Sequence, residues 1–126
     1  MAQLMFSKSD VEAVVNPLIR LLRLIFYRKG ITLDDFAARC AEHGQRLGMT
    51  SNDLNIHRNN LRKPLKKTDE MTWRFFYYMM LNILCLKIVD VRLIFRDADG
   101  NLVEIGSSDP VDLDQPKSPV IMEETE

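Results

Sequence analysis

The residues of this chain with the clearest capacity for chemistry lie between Leu54 and Thr68, where positive charge accumulates without any acidic side chain. The basic or potentially basic residues are His57, Arg58, Arg62, Lys63, Lys66 and Lys67, and the interleaved asparagines are Asn55, Asn59 and Asn60. Asparagine can form paired hydrogen bonds with adenine and arginine with guanine, whereas lysine and arginine also bind phosphate oxygens. The segment therefore carries the groups that nucleic-acid recognition requires, although a solvated surface helix can have a similar composition.

Charge is divided unevenly along the chain, although the formal net charge is only −1. Residues 1–86 carry 13 Lys and Arg against 8 Asp and Glu, whereas residues 87–126 carry 4 against 10. This asymmetry suggests a basic body and an acidic tail. Prolines and few bulky apolar residues after position 106 predict that residues 106–126 form an extended acidic tail, which leaves residues 1–105 as one domain.

Residues that typically cap the N-termini of helices predict two helices before the basic segment. Asn16 followed by Pro17 indicates a helix that runs to about Lys29, because Asn caps a helix and Pro is tolerated at its first position. Thr32 with Asp35 three residues later resembles a capping box and should open the next helix. The residues expected to form the apolar stripe of the first helix are Leu18, Leu21, Leu22 and Ile25.

The basic segment is itself predicted to be mostly helical. The preceding helix should end at Gly44 or Gly48, and Ser51 should cap the basic helix. This helix should end at about Lys63, because Pro64 lacks a backbone donor. The lysines that follow the proline would then lie in a loop and offer only phosphate contacts.

The remainder of the chain changes from helical to strand periodicity. A helix is expected from Thr68 to Leu86, and alternating apolar residues then predict strands over residues 89–95 and 102–105. Residues 97–101 are expected to form the hairpin turn rather than a calcium loop, because the glycine is in the wrong position for such a loop. The predicted fold is mostly α with a C-terminal β-hairpin (α+β), in which a helix-turn-helix bundle precedes the acidic tail.

This order of elements resembles small phage-type repressors of the Cro and lambda-repressor-like superfamily over about residues 17–105. The residues that support the resemblance are Phe36-Ala37-Ala38 in the first motif helix, Gly48 before Ser51, and Met71-Thr72-Trp73 at the next helix. Family members usually have Ala and then Gly four residues later, whereas Ala37 is followed at that spacing by Ala41. The resemblance implies a DNA-binding regulator whose terminal strand pairs across a dimer.

Together, these features predict a sequence-specific transcriptional regulator, such as a phage or prophage repressor, that binds double-stranded DNA. A recognition helix at about Ser51–Lys63 would enter the major groove. The predicted DNA contacts are Asn52, Asn55, Arg58, Asn59, Arg62, Lys63, Lys66 and Lys67. The predicted homodimer interface consists of Val89, Val91, Leu93 and Phe95.

Three alternatives remain open at this level. The basic helix could be a solvated or protein-binding face, or it could bind RNA. The chain could also be a small interaction protein that binds and inhibits a host protein, with the basic helix and an exposed strand edge as docking surfaces.

Other classes of function have less support in the residues. His43 and His57 have no neighbouring nucleophile, and no His/Cys spacing predicts a metal site, so we expect no enzyme, catalytic residue, metal or cofactor. The apolar run at residues 75–86 is shorter than the roughly 20 residues that cross a membrane. Cys40 and Cys85 are expected to be buried thiols in a reducing compartment, which favours a cytoplasmic protein.

Overall fold

Within the described residues, helices are followed by an antiparallel hairpin, which confirms the predicted α+β fold. The computed structural model describes residues 3–66 and 71–111. In these residues the elements are α1 (Lys8–Glu12), α2 (Pro17–Arg28), α3 (Leu33–Arg46), α4 (Ser51–Lys66), α5 (Trp73–Tyr78), a π-helical turn (Met79–Ile83), β1 (Arg92–Arg96) and β2 (Leu102–Gly106). None of the helices in these two ranges is long and apolar enough to cross a membrane.

The chain divides between Ile88 and Val89 into two compact units, a helical unit and a hairpin unit. The boundary predicted from the sequence lies after the hairpin, at residues 105 and 106. Most of the predicted acidic tail, residues 112–126, lies outside the described residues.

The predicted starts of α2 and α3 are confirmed by the hydrogen bonds of their caps. The Asn16 side chain accepts from the N–H groups of Leu18 (3.0 Å) and Ile19 (3.2 Å), which have no partner within the helix. Thr32 Oγ1 accepts from the Asp35 N–H, and the Asp35 carboxylate accepts from the Thr32 N–H, both at 3.0 Å. These hydrogen bonds favour the charged carboxylate and lower the pKa of Asp35.

The predicted apolar stripe of α2 is confirmed at Leu18, Leu22 and Ile25, which lie in the core or pack against it, but not at Leu21. Ile19, Leu22 and Phe26 are completely buried, whereas Leu21, a member of the predicted stripe, is 49% exposed. The three buried residues recur at spacings of three and four, so the buried stripe of α2 includes Ile19, and Leu21 faces solvent. Other buried residues of the core include Phe36, Cys40, Leu61, Leu65, Phe76, Met79, Ile83 and Leu84.

The basic helix α4 differs from its prediction at both ends. Thr50, rather than Ser51, is the capping residue: its hydroxyl accepts from the Asp53 N–H at 3.4 Å and donates to the Asp53 carboxylate at 2.8 Å. The helix continues to Lys66, so the prediction that Pro64 ends it is wrong. The predicted loop after Pro64 is therefore helical as far as Lys66.

Tertiary contacts at the end of α4 account for its passage through Pro64. Within a helix, proline usually costs about 3 kcal/mol or more. Here Pro64 is buried, Leu65 is completely buried, and the Leu65 carbonyl accepts from Arg23 Nε at 2.8 Å and Nη2 at 2.5 Å. The Arg23 guanidinium also lies 4.8 Å from the Phe6 ring centroid, and burial lowers the pKa of Arg23. An apolar anchor and a cation at the C-terminus thus stabilise the last turn.

Within the described residues, the helix predicted over residues 68–86 consists of α5 and a π-helical turn that ends at Ile83. Residues 68–70 lie outside the described residues, and α5 begins directly after Thr72, whose hydroxyl caps it. In the π-helical turn that follows, the Leu84 N–H donates to the Met79 carbonyl at 3.0 Å. Cys85, with φ of +55°, ends this segment before Leu86. Cys85 is exposed, so the prediction that both cysteines are buried is wrong for this residue.

The hairpin pairs β1 and β2 in an antiparallel register. Leu93 lies opposite Ile105, and Phe95 lies opposite Val103, so these side chains share one face of the two-stranded sheet. β1 starts at Arg92, three residues after the strand start predicted at Val89.

Polar contacts close both ends of the hairpin. In the turn, Asp97 Oδ1 accepts from the Asn101 N–H at 2.9 Å, as expected for a hairpin turn. At the open end, Arg92 donates to Asp90 at 2.9 Å and to Glu104 at 2.6 Å. The guanidinium and two serines beside Asp90 hold the pKa of that carboxyl well below its usual range.

Candidate nucleic-acid interface

The predicted DNA contacts that the structure describes lie on a single side of α4. Asn52, Asn55, Asn59, Lys63 and Lys66 are exposed, and Arg58 and Arg62 are half-buried. Spacings of three and four residues connect these positions, which places them along one side of a helix with about 3.6 residues per turn. We call these seven residues the polar face of α4. Lys67, the remaining predicted contact, lies outside the described residues.

The opposite side of α4 is apolar and anchors the helix in the core. Leu61 and Leu65 are buried, and Leu54 is half-buried. Complete burial of a leucine side chain contributes roughly 1.5–3 kcal/mol. Packing of this side therefore fixes the orientation in which the polar face is presented.

Two glycines shape the turn that joins α3 to α4. Gly48 has φ of +79°, a conformation that other residues rarely adopt. Gly44 lies where α4 packs closely against α3, since a Cβ at this position would be only 2.4 Å from Leu54 Cδ2. The Gly44 carbonyl accepts from the Met49 N–H at 2.9 Å. Gly48 therefore allows the chain to reverse, and Gly44 allows the two helices to pack.

Arg58 is engaged with a neighbouring side chain of the polar face. Its Nη2 donates to Asn55 Oδ1 at 2.8 Å. Both residues line a groove of about 460 Å³ together with Ala37 and Ala41 of α3. The two small alanines leave room for the guanidinium, whose hydrogen bond orients the Asn55 amide.

The second half of the polar face gathers three cations around one depression. Arg62, Lys63, Lys66 and the preceding Asn59 line a shallow cavity of about 260 Å³. Clustered lysine and arginine side chains of this kind are suited to phosphate oxygens.

A chain of three hydrogen-bonded side chains, which was not predicted from the sequence, connects α3, α4 and α5. His43 is only 5% exposed; its Nδ1 lies 2.9 Å from His57 Nε2, and its Nε2 lies 3.0 Å from the Tyr78 hydroxyl. Burial, followed by the nearby charges of His57 and Arg46, lowers the pKa of His43. A neutral His43 therefore connects the basic helix to the rest of the helical unit.

The spacing of the two histidines does contain a sign of this contact. His43 follows Cys40 by three residues along the buried side of α3. His57 comes three residues after Leu54 and four before Leu61, along the apolar side of α4. Because the apolar sides of two helices joined by a short turn face each other, the two rings can meet.

Two cations of α3 bind carbonyl groups at the end of the π-helical turn. Arg39 donates to the Leu84 carbonyl at 3.4 Å, and Arg46 donates to the Asn82 carbonyl at 3.4 Å. Carbonyls at the end of a helical segment lack partners within it and carry partial negative charge. These two arginines therefore stabilise the contact between α3 and the π-helical turn.

The residues predicted to form a dimer interface are exposed. The exposed fractions are 81% for Val89, 39% for Val91, 63% for Leu93 and 38% for Phe95. Leu93 and Phe95 belong to β1, whereas Val89 and Val91 precede it. Leu93, Phe95 and Ile105, which is 53% exposed, lie on one face of the hairpin and form an apolar surface there.

Potential metal ligands do not gather into a site within the described residues. Among these residues, no three His, Cys, Asp or Glu side chains are placed to hold a metal ion. Burial raises the pKa of the Cys40 thiol to about 12, so this cysteine is protonated at neutral pH. Comparisons of the chain with protein-family models, curated proteins and solved structures found no match.

Proposed function

We propose that this chain is a sequence-specific DNA-binding transcriptional regulator of phage or prophage type, whose helix α4 enters the major groove. The observation that carries the proposal is the single polar face of α4, which has amides in its first half and cations in its second. Recognition helices contact bases through their N-terminal residues, whereas phosphate contacts supply affinity without sequence choice. The asparagines would therefore contact bases, and Arg62, Lys63 and Lys66 would contact phosphates.

The connection between α3 and α4 supports a helix-turn-helix arrangement. Such motifs join two helices by a turn of about 3–4 residues that often contains glycine, and residues 47–50 meet this description. The resemblance to Cro and lambda-repressor-like regulators implies Ala and then Gly four residues later, whereas this chain has Gly44 instead of Ala four residues before Gly48.

A homodimer would present two copies of α4 to the DNA. Dimeric helix-turn-helix proteins bind half-sites about one helical turn apart. An isolated two-stranded hairpin is at best marginally stable in water, so a second copy that covers Leu93 and Phe95 would stabilise the hairpin. A DNA target also implies that the protein acts in the cytoplasm of a bacterial host.

Fluorescence anisotropy with duplex DNA of mixed sequence, measured as a function of salt concentration, tests this function. The logarithm of the association constant should fall linearly with the logarithm of salt concentration, because bound cations displace counterions from DNA. Lys66→Ala should weaken binding to every sequence and reduce the magnitude of the slope by about one.

The matched control is Lys29→Ala, because Lys29 is an exposed lysine outside α4. This variant should bind with the slope of the unmodified chain. If the unmodified chain has no affinity for duplex DNA even at low salt, the proposed function is wrong.

The apolar surface of the hairpin favours a second candidate function, a small interaction protein that binds and inhibits a host protein. Exposed apolar patches often mark protein–protein contacts, and Leu93, Phe95 and Ile105, which share one face of the hairpin, are exposed by 63%, 38% and 53%. A monomeric chain that lacks DNA affinity and forms a stoichiometric complex with one host protein would support this alternative.

A further inference from the structure

We infer that α4 selects A·T base pairs, so that the half-site it contacts is rich in adenine and thymine. This inference rests on the proposed DNA-binding function and names the class of sequence that the polar face would recognise. It is based on three exposed amides, one exposed isoleucine and the hydrogen bond that Arg58 donates to Asn55.

The three amides of the polar face are spaced to reach neighbouring base pairs. Asn52 and Asn59 are exposed and make no side-chain hydrogen bond with the described residues. At about 1.5 Å per residue they lie roughly 10 Å apart along the helix, which equals about three base-pair steps of about 3.4 Å. Asn55 lies between them on the same face. Each carboxamide presents a donor and an acceptor side by side, which match N7 and the N6 amino group of adenine.

Arg58, the arginine closest to these amides, is not presented as a guanine contact. To bind guanine, arginine directs two N–H groups at O6 and N7, whereas Arg58 is half-buried and donates to Asn55 Oδ1 at 2.8 Å. The Asn55 oxygen retains a second lone pair for adenine N6, and its Nδ2 can donate to N7. Arg58 is therefore a positioning residue that holds the Asn55 amide in place.

Ile56 supplies an apolar contact beside the amides. It is 60% exposed, and it lies four residues after Asn52 and three before Asn59, so it borders the same face. In the major groove thymine is the base that carries a methyl group, and apolar side chains contact that group. Ile56 therefore favours thymine and the amides favour adenine, which are the two bases of an A·T pair.

The remaining side chains of the polar face do not oppose this preference. Arg62, Lys63 and Lys66 follow the amides and surround the depression suited to phosphate oxygens. Phosphate contacts carry no direct sequence information. The base preference of α4 is therefore determined by its first half.

Selection of bound sites from a random duplex library, with the unmodified full chain, tests this inference. The selected half-sites should be enriched in consecutive A·T pairs. Enrichment of G·C pairs, or DNA binding without sequence enrichment, would overturn the inference and leave the proposed function intact. Failure to bind any duplex would overturn both.

Variants and base analogues assign the preference to individual side chains. Asn55→Ala should reduce the discrimination between A·T and G·C at one position by roughly 5- to 150-fold. The matched control is Asn60→Ala, because Asn60 is an exposed asparagine of α4 outside the polar face, and it should retain full discrimination. Uracil in place of thymine should weaken binding of the unmodified chain but not of Ile56→Ala, and equal losses for both proteins would contradict the methyl contact.

The positioning role of Arg58 has its own test. Arg58→Ala should reduce discrimination at the same base pair as Asn55→Ala, and the two losses should not add in the double variant. The melting temperature provides the control for folding. Relaxed choice at a separate G·C pair in Arg58→Ala would show that Arg58 contacts guanine and would overturn its assigned role.

Discussion

His43 Nδ1 and His57 Nε2 lie 2.9 Å apart, and the hydrogen bond between them joins α3 to the helix proposed to bind DNA. One nitrogen must donate and the other must accept, while the Tyr78 hydroxyl occupies the other side of the His43 ring at 3.0 Å. If both rings were protonated, two N–H groups would face each other without an acceptor. The folded helical unit therefore favours a neutral His43.

Acidification should destabilise the helical unit through this pair. Burial and the nearby charges of His57 and Arg46 lower the pKa of His43 in the folded chain. Between that lowered pKa and the unfolded value of about 6.5, the unfolded chain binds more protons than the folded chain. The stabilisation is thus complete above about pH 6.5 and is lost as the pH falls towards the folded pKa. Urea unfolding on both sides of this value measures the loss.

The control for this pH dependence is His43→Gln, which keeps a donor and an acceptor but does not titrate. The variant should show little change in stability over the same pH range, whatever its absolute stability. An equal pH dependence in the variant and the unmodified chain would assign the effect to other groups.

Removal of the Tyr78 hydroxyl should destabilise the helical unit by about 1–3 kcal/mol, because it leaves a buried nitrogen of His43 without a partner. The free energy of unfolding of Tyr78→Phe, obtained from urea titration, measures this change. Tyr77→Phe is the matched control, since Tyr77 is 47% exposed, and should change stability by less than about 0.5 kcal/mol. Equal unfolding free energies for the two variants would contradict a stabilising contact between Tyr78 and His43.

Arg23→Met should destabilise the end of α4 by about 1.5–3 kcal/mol, because it removes charged donors from the Leu65 carbonyl. Hydrogen exchange of the last amides of α4 and urea unfolding measure the effect. Arg20→Met provides the comparison, since Arg20 is an exposed arginine of the same helix. Unchanged protection of these amides in Arg23→Met would show that α4 passes through Pro64 without this contact.

If the proposed dimer forms, a charged substitution should affect self-association differently on the two faces of the hairpin. Leu93→Asp should weaken or abolish self-association, because Leu93 lies on the apolar face with Ile105. Ile94→Asp is a close control, since Ile94 and Leu93 are exposed by 62% and 63%, but Ile94 pairs with Glu104 on the opposite face. Sedimentation equilibrium measures the association, and an equal effect of both substitutions would contradict a dimer formed through this face.

The sequence predicts those parts of the fold whose determinants are adjacent along the chain. The caps at Asn16 and Thr32 depend on hydrogen bonds to residues two or three positions away, and the structure confirms both. The end of α4 could not be predicted in this way. Its passage through Pro64 depends on Arg23, which is 42 residues from the carbonyl it binds.

The same distinction applies to the candidate site, where some features follow from residue spacing and others depend on contacts between distant residues. Helical spacing alone places the predicted contacts on one side of α4. The hydrogen bond between Arg58 and Asn55 depends on side-chain conformation and on the space beside Ala37 and Ala41. Neither can be predicted from the spacing of residues along the helix. The contact between His43 and His57 requires the turn at Gly48 to bring the apolar sides of two helices together.

A ¹H–¹⁵N NMR titration of the full chain with duplex DNA tests most directly whether the polar face of α4 binds DNA. The side-chain amide signals of Asn52, Asn55 and Asn59 should shift strongly, while that of Asn60 and the backbone signals of the hairpin should change little. The largest changes in the hairpin, or no changes at all at low salt, would contradict the claim that the polar face of α4 binds DNA.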